Sequence, residues 1–242
     1  MSIAEKLSAV AQNVPKVFEA GKKAGKKAQY DEFWDSFPAN PDGTYLFAGD
    51  MWNDVTFKPK RNIVLKGGAN GLFYNNGCTN IKKALADCGV TLDMSGVTGA
   101  NNCFGYALTT ELPAIDLSSM SNVQNFFAIA QNLVTIDSVK FKDGATFNNA
   151  FGTCKNLENI TILGTISGKG FDVSSCTKMT KKSIESIIYA LSVTTSGLSI
   201  TLSKTAVNNA FGINVDDETT FPEGSEYYTL RHSKDNWTIN YI

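Results

Sequence analysis

The sequence predicts an α/β repeat protein: a solenoid of short parallel strands joined by helical or tight-turn segments, preceded by an N-terminal α-helical, coiled-coil-like segment. Three observations predict it. The pentapeptides Asn101-Asn102-Cys103-Phe104-Gly105, Asn148-Asn149-Ala150-Phe151-Gly152 and Asn208-Asn209-Ala210-Phe211-Gly212 are near copies of one another. Apolar residues recur at steps of three from Phe127 (Ala130, Leu133, Ile136) and again from Phe151 (Cys154, Leu157, Ile160). At the N-terminus, Ile3, Leu7, Val10, Val14 and Val17 follow spacings of 4, 3, 4 and 3, the a/d stripe of a coiled-coil seam.

The first helix is expected to begin at about residue 3, because Ser2 and Glu5 form a capping box. The seam predicts a homo-oligomer, a trimer by analogy with fibre-like appendages. An amphipathic helix packed on its own domain is the alternative. Pro15 kinks or divides the helix near Val14, and two turns of seam are too short to fold alone. Lys22, Lys23, Lys26 and Lys27 then form a solvated basic face. Phe33, Trp34 and Phe37 give the next helical stretch an aromatic side, and Pro38 closes it. A turn-rich linker follows over 39–43, and short extended patches over 45–66.

The repeat frame, extended from Phe127 and Phe151, also takes in Phe104 and Ala107 before it and Val173, Cys176 and Met179 after it. The anchors 104, 127, 151 and 173 lie 23, 24 and 22 residues apart, the range of leucine-rich repeats. Each unit offers a large Phe and a small Ala or Cys, followed by a strand such as Thr135-Ile136-Asp137 or Ile160-Thr161-Ile162. One unit cannot bury that face alone, whereas stacked units make one apolar column. A longer first unit holds Leu72 and Phe73, a helix around Ile81 to Cys88 and a strand at Val90 to Asp93. Beyond the block come a helix from Lys181 to Leu191 capped by Thr180, a strand from Leu198 to Leu202, a helix from Ser203 through Phe211, and a closing strand from Trp237. The chain thus divides into a helical oligomerisation and attachment segment (1–38), a linker and N-terminal cap (39–66), the repeat domain (67–212) and an acidic loop with a capping strand (213–242).

Composition narrows the function. Asn, Ser and Thr together make 63 of the 242 residues, against two Arg and one His. Acid–base chemistry near neutral pH recruits His, and phosphate or carboxylate binding recruits Arg, so an enzyme is not expected. A net charge of −1 opposes nucleic-acid binding. The longest uncharged stretches carry too many Ser, Asn and Gln for a membrane span. The start lacks a secretory pattern, which predicts folding in the cytoplasm of whatever cell makes the chain, without a signal peptide. Cys78, Cys88, Cys103, Cys154 and Cys176 include no Cys-x-x-Cys pair, so they read as buried free thiols rather than a zinc site or disulfide framework. Asp216-Asp217 lacks the ligand spacing of a calcium loop, and neither metal nor cofactor is expected. His232 has no nucleophile spacing around it and reads as a surface residue. Thr91, Asp93, Asp116, Thr135, Asp137 and Thr161 alternate with core positions on the expected strands. They are the candidate ligand-binding residues, with ordinary solvated strand positions as the plain alternative.

Five stretches carry a family likeness: Met1 to Leu7 with Val14 to Val17; Asp31 to Asp35; Thr56 to Lys60; Gly89 to Asp93; and Ser183 to Ile188 with Leu202 to Val207. On these the chain resembles the BspA-like leucine-rich-repeat proteins, especially those encoded among tail and baseplate genes of phages and prophages of gut Firmicutes. The resemblance runs from the N-terminus to about Phe211 and ends after Gly212, where Asn214 to Tyr228 reads as a loop with five acidic residues. It implies a non-enzymatic virion protein of a tail fibre, baseplate or receptor-binding appendage. Its partners would be further copies of the chain, other virion proteins and a host-surface glycan or protein. A phage head fibre or decoration protein, or an intracellular or cell-surface bacterial interaction module, are the alternatives.

Overall fold

The computed structural model describes residue 59, residues 62–74 and residues 76–242. The seam residues Ile3, Leu7, Val10, Val14 and Val17, the whole of 1–38 and most of 39–66 lie outside the described residues. What is described is a mixed α/β structure whose strand pairs are all parallel. In chain order its elements are β1 (Ile63–Gly68), α1 (Ile81–Cys88), β2 (Leu92–Gly99), β3 (Glu111–Leu112), β4 (Ile115–Leu117), β5 (Thr135–Phe141), β6 (Asn159–Leu163), β7 (Phe171–Val173), α2 (Lys181–Ala190), β8 (Leu198–Leu202), α3 (Lys204–Phe211), α4 (Glu226–His232) and β9 (Trp237–Tyr241).

β1 pairs with β2, β5 is flanked by β3, β4 and β6, and β8 lies between β7 and β9. Glu111 stands opposite Thr135 and Thr135 opposite Asn159, so one strand reaches its neighbour after 24 residues. The strands form where β-branched residues alternate with polar ones: in β6, Ile160 and Ile162 point inward while Asn159, Thr161 and Leu163 are exposed.

The three-residue step is the signature of consecutive tight turns. The N–H groups of Ala107, Ala130, Cys154 and Cys176 donate to the carbonyls of Phe104, Phe127, Phe151 and Val173 at 3.0–3.2 Å. Leu133, Leu157 and Met179 then donate to Ala130, Cys154 and Cys176. The backbone frame therefore includes Val173, as expected, but the ring column continues through a different residue. Phe73, Phe104, Phe127 and Phe151 stack in sequence with centroids 4.7, 5.8 and 5.2 Å apart, and the next ring, 5.7 Å beyond, belongs to Phe171. Phe126 packs edge-on against Phe104 and Phe127, and all these rings are buried.

The helices occupy the places where strand pairing stops. α1 is capped by the Asn80 side chain, which accepts from Lys83 N, and by left-handed Gly89. Val90 N donates to Leu85 O in that cap, so the following strand starts at Leu92 rather than Val90, and it runs on to Gly99. α2 lies along the outer edge of β6. The hydroxyls of Ser183 and Ser186 accept from Ile160 N and Ile162 N at 3.0 and 2.8 Å, satisfying strand donors that would otherwise be orphaned. Thr180 holds the N-cap position, but its hydroxyl bonds the Glu158 carbonyl instead of capping the helix. The third pentapeptide, Asn208 to Gly212, is not a turn like the other two: it forms the end of α3, with Gly212 as left-handed cap.

The stretch Asn214 to Tyr228 is less loop-like than expected, since it holds a 3₁₀ turn (Glu218–Thr220) and the start of α4 capped by Ser225. Its acidic side chains meet surface cations: Asp216 with Lys204, Glu218 with Arg231 at 3.5 Å, and Glu226 with Lys181 at 2.5 Å. Lys234 is buried and donates to the Leu191 carbonyl at 2.6 Å, just past the end of α2, which suits a cation at a helix C-terminus.

All five cysteines are free; Cys103, Cys154 and Cys176 are buried, whereas Cys78 and Cys88 are half-buried. Burial pushes the Cys176 thiol up to about 12 and raises Cys103 and Cys154 as well. Cys154 donates to the Phe127 carbonyl at 3.0 Å. A disulfide reagent applied to the native protein at mildly alkaline pH is expected to label Cys78 and Cys88 and to reach the other three only after denaturation. Rapid labelling of all five sites in native buffer contradicts this packing.

Candidate binding surface

The six strand residues divide into separate groups. Thr135 and Asp137 lie on β5 with Thr161 beside them on β6. There the register shifts so that Asp137 and Ser138 together face Thr161, a bulge that turns Asp137 outward. Asp137 pairs with Lys82 of α1 at 2.6 Å. Asp93 on β2 and Asp116 on β4 form a second group, near enough for the Asp116 charge to act on Asp93, and Lys140 Nζ is 3.4 Å from Asp116. Thr91 precedes β2 and stands apart, its backbone N–H bonded to Asn62 Oδ1.

Two of the aspartates have local structural work. Asp93 Oδ1 accepts from Ser95 N at 2.9 Å and Asp116 Oδ1 from Ser118 N at 2.8 Å; Asp172 repeats the arrangement with Ser174. At Asp116 and Asp172 the Asp-x-Ser unit ends its strand in an Asx turn, whereas at Asp93 it lies within β2, where the register with β1 shifts. The Ser95 hydroxyl and N–H hold the Asp93 carboxyl below the usual carboxylate range. At Asp116 partial burial is the largest influence and pushes upward, but Ser118 and Lys140 outweigh it and the net shift is downward. A depressed carboxyl contributes stability above its unfolded value, near 3.9, and loses that contribution as pH falls through the folded value. Urea denaturation of Asp93→Asn should therefore show a deficit against the parent at pH 7 that shrinks below about pH 4. A pH-independent deficit contradicts the assignment.

A second exposed feature lies along the turns that follow the strands. Asn149 Nδ2 donates to Asn125 Oδ1 at 2.7 Å, and Asn125 Nδ2 to Asn101 Oδ1 at 3.1 Å, a ladder of side-chain amides with a step of 24 residues. Asn70 Oδ1 continues it by accepting from Asn101 N at 2.7 Å. Two ladder members, Asn125 and Asn149 (φ 51° and 53°), are left-handed, as are Asn102 next to the third (φ 53°) and a further row of Tyr106, Ile129 and Thr153 (φ 55°, 64° and 60°). Asparagine enters this region readily; a tyrosine or a β-branched residue does so at a cost of about 1–3 kcal/mol. Tyr106 is 47 % exposed, and its ring meets the half-buried Tyr74 edge-on at 5.4 Å.

The Asn-Asn pairs were visible in the sequence as turn residues. Their stacking, and the involvement of Asn70, Tyr74 and Tyr106, were not, because nothing local in the chain indicates which turns become neighbours. His232 is exposed, with Nδ1 2.9 Å from Asp235. Among the described residues, no group of three or more His, Cys, Asp or Glu is placed to hold a metal, and no helix is long and apolar enough to cross a membrane. No protein-family model, curated protein or solved structure matches this chain.

Proposed function

We propose that this chain is a non-enzymatic structural and adhesive protein of a phage particle, built as a leucine-rich-repeat solenoid that offers an extended surface to a host glycan or to other virion proteins. One observation supports the reading most: strand register, phenylalanine stack and asparagine ladder all advance by 23 or 24 residues in the middle of the chain. Such a step buries a continuous apolar column and sets equivalent polar side chains side by side on the outside, which favours recognition of extended partners. The phage setting and the trimer come from the sequence resemblance and the N-terminal seam. Mass spectrometry of purified particles should detect the chain at a stoichiometry set by the symmetry of its appendage. Particles that lack it overturn the virion assignment.

A further inference from the structure

The asparagine ladder has a direction. Each amide gives its N–H to the side-chain carbonyl of the coil before it, from Asn149 to Asn125 to Asn101. At the low-numbered end the Asn101 NH₂ has no acceptor among the described residues, and neither has the NH₂ of Asn70 beside it; both residues are exposed. The turn that carries Asn101 also carries Tyr106 and is closed by Gly105 N donating to Asn102 O. Tyr74 lies over that turn, close enough that a Cβ on Gly105 would come within 3.0 Å of its ring. Leu108, 47 % exposed, extends the apolar surface.

Tyr106 holds the left-handed position that Ile129 and Thr153 hold further along the chain, and it is the one aromatic residue of the three, with 47 % of its surface exposed. An exposed aromatic pair beside unpaired amide donors has the chemistry of saccharide recognition: a pyranose stacks its C–H face on a ring while its oxygens accept from the amides. We propose that Asn70, Tyr74, Asn101 and Tyr106 bind an N-acetylated hexosamine. The acetamido carbonyl accepts from Asn101 Nδ2 as one more rung of the ladder, since an acetamide is the same group as the asparagine side chain. The four residues carry no charge, which favours a neutral sugar. The site deepens the adhesive reading and rests on it for its setting, yet particle composition tests that reading and saccharide titration tests this site, so each can fail alone.

The test is calorimetric titration of the full chain with tri-N-acetylchitotriose, and with cellotriose as the same β-linked backbone without acetamides. The acetylated sugar should bind, with cellotriose weaker by about tenfold or more. Tyr106→Gly removes the ring and relaxes the backbone; it should weaken binding by about tenfold. Asn101→Ala supplies the same readout should the glycine variant fail to fold. Absence of binding at millimolar sugar, equal affinity for the two sugars, or unchanged affinity in the variants overturns the proposal.

Discussion

Replacing Phe127 by alanine is expected to lower the free energy of unfolding by about 4 kcal/mol, a large share of what holds a domain together. The ring is fully buried and lies between two successive coils, 5.8 Å from Phe104 on one side and 5.2 Å from Phe151 on the other, with Phe126 edge-on at 4.7 Å. Truncation loses the transfer energy of the ring and leaves a cavity whose walls are themselves fixed by stacking, so collapse around it is limited. The stacking contacts with Phe104 and with Phe151 are lost together. Phe127→Leu keeps most of the volume and is expected to cost less than about 1.5 kcal/mol. Urea denaturation followed by circular dichroism measures both. A loss below 1 kcal/mol for the alanine variant, by the same scale, contradicts the column as the main source of cohesion.

The second large effect is expected at Gly168. A Cβ there would overlap the carbonyl oxygen of Ala145 and approach its carbon to 2.6 Å, and these are backbone atoms that cannot rotate aside. The approach is locked on both sides: Gly144 N donates to Ser167 Oγ at 2.7 Å, and Phe147 N to Lys169 O at 3.0 Å. Gly168→Ala must therefore separate the two segments or break these bonds, and is expected to cost about 3 kcal/mol. Gly197→Ala is the informative comparison, because its Cβ meets nothing within 4 Å and only its φ of +74° opposes a side chain. It should cost about 1 kcal/mol. Equal melting temperatures for the two variants contradict close backbone packing at Gly168.

Much of this architecture was legible because its signals are local. α1, β8 and α3 were expected within a residue of where they lie, and Ser203 marked the start of α3 through a hydrogen bond made within three residues. The three-residue step around Phe127 and Phe151 was legible for the same reason, as consecutive turns write their spacing into the chain. The third Asn-Asn-Ala-Phe-Gly is identical in letters to a turn, yet Ser203 upstream commits it to the helix expected there.

The candidate site was legible only as a class of residues. Alternation placed Asp93, Asp116 and Asp137 outward, but not the Asx turns and ion pairs that already occupy them, because Ser95 and Ser118 are local partners while Lys82 and Lys140 come from other coils. By itself the sequence determined the periodic frame, the helix ends and which residues face inward, all consequences of turn chemistry and burial over short distances. Tertiary structure alone decided that Phe171 rather than Val173 completes the ring column, that α2 seals the edge of β6, and that Asn101, Asn125 and Asn149 join into one ladder. Each of those depends on which atoms meet across more than twenty residues of chain, and that is set by how the coils stack.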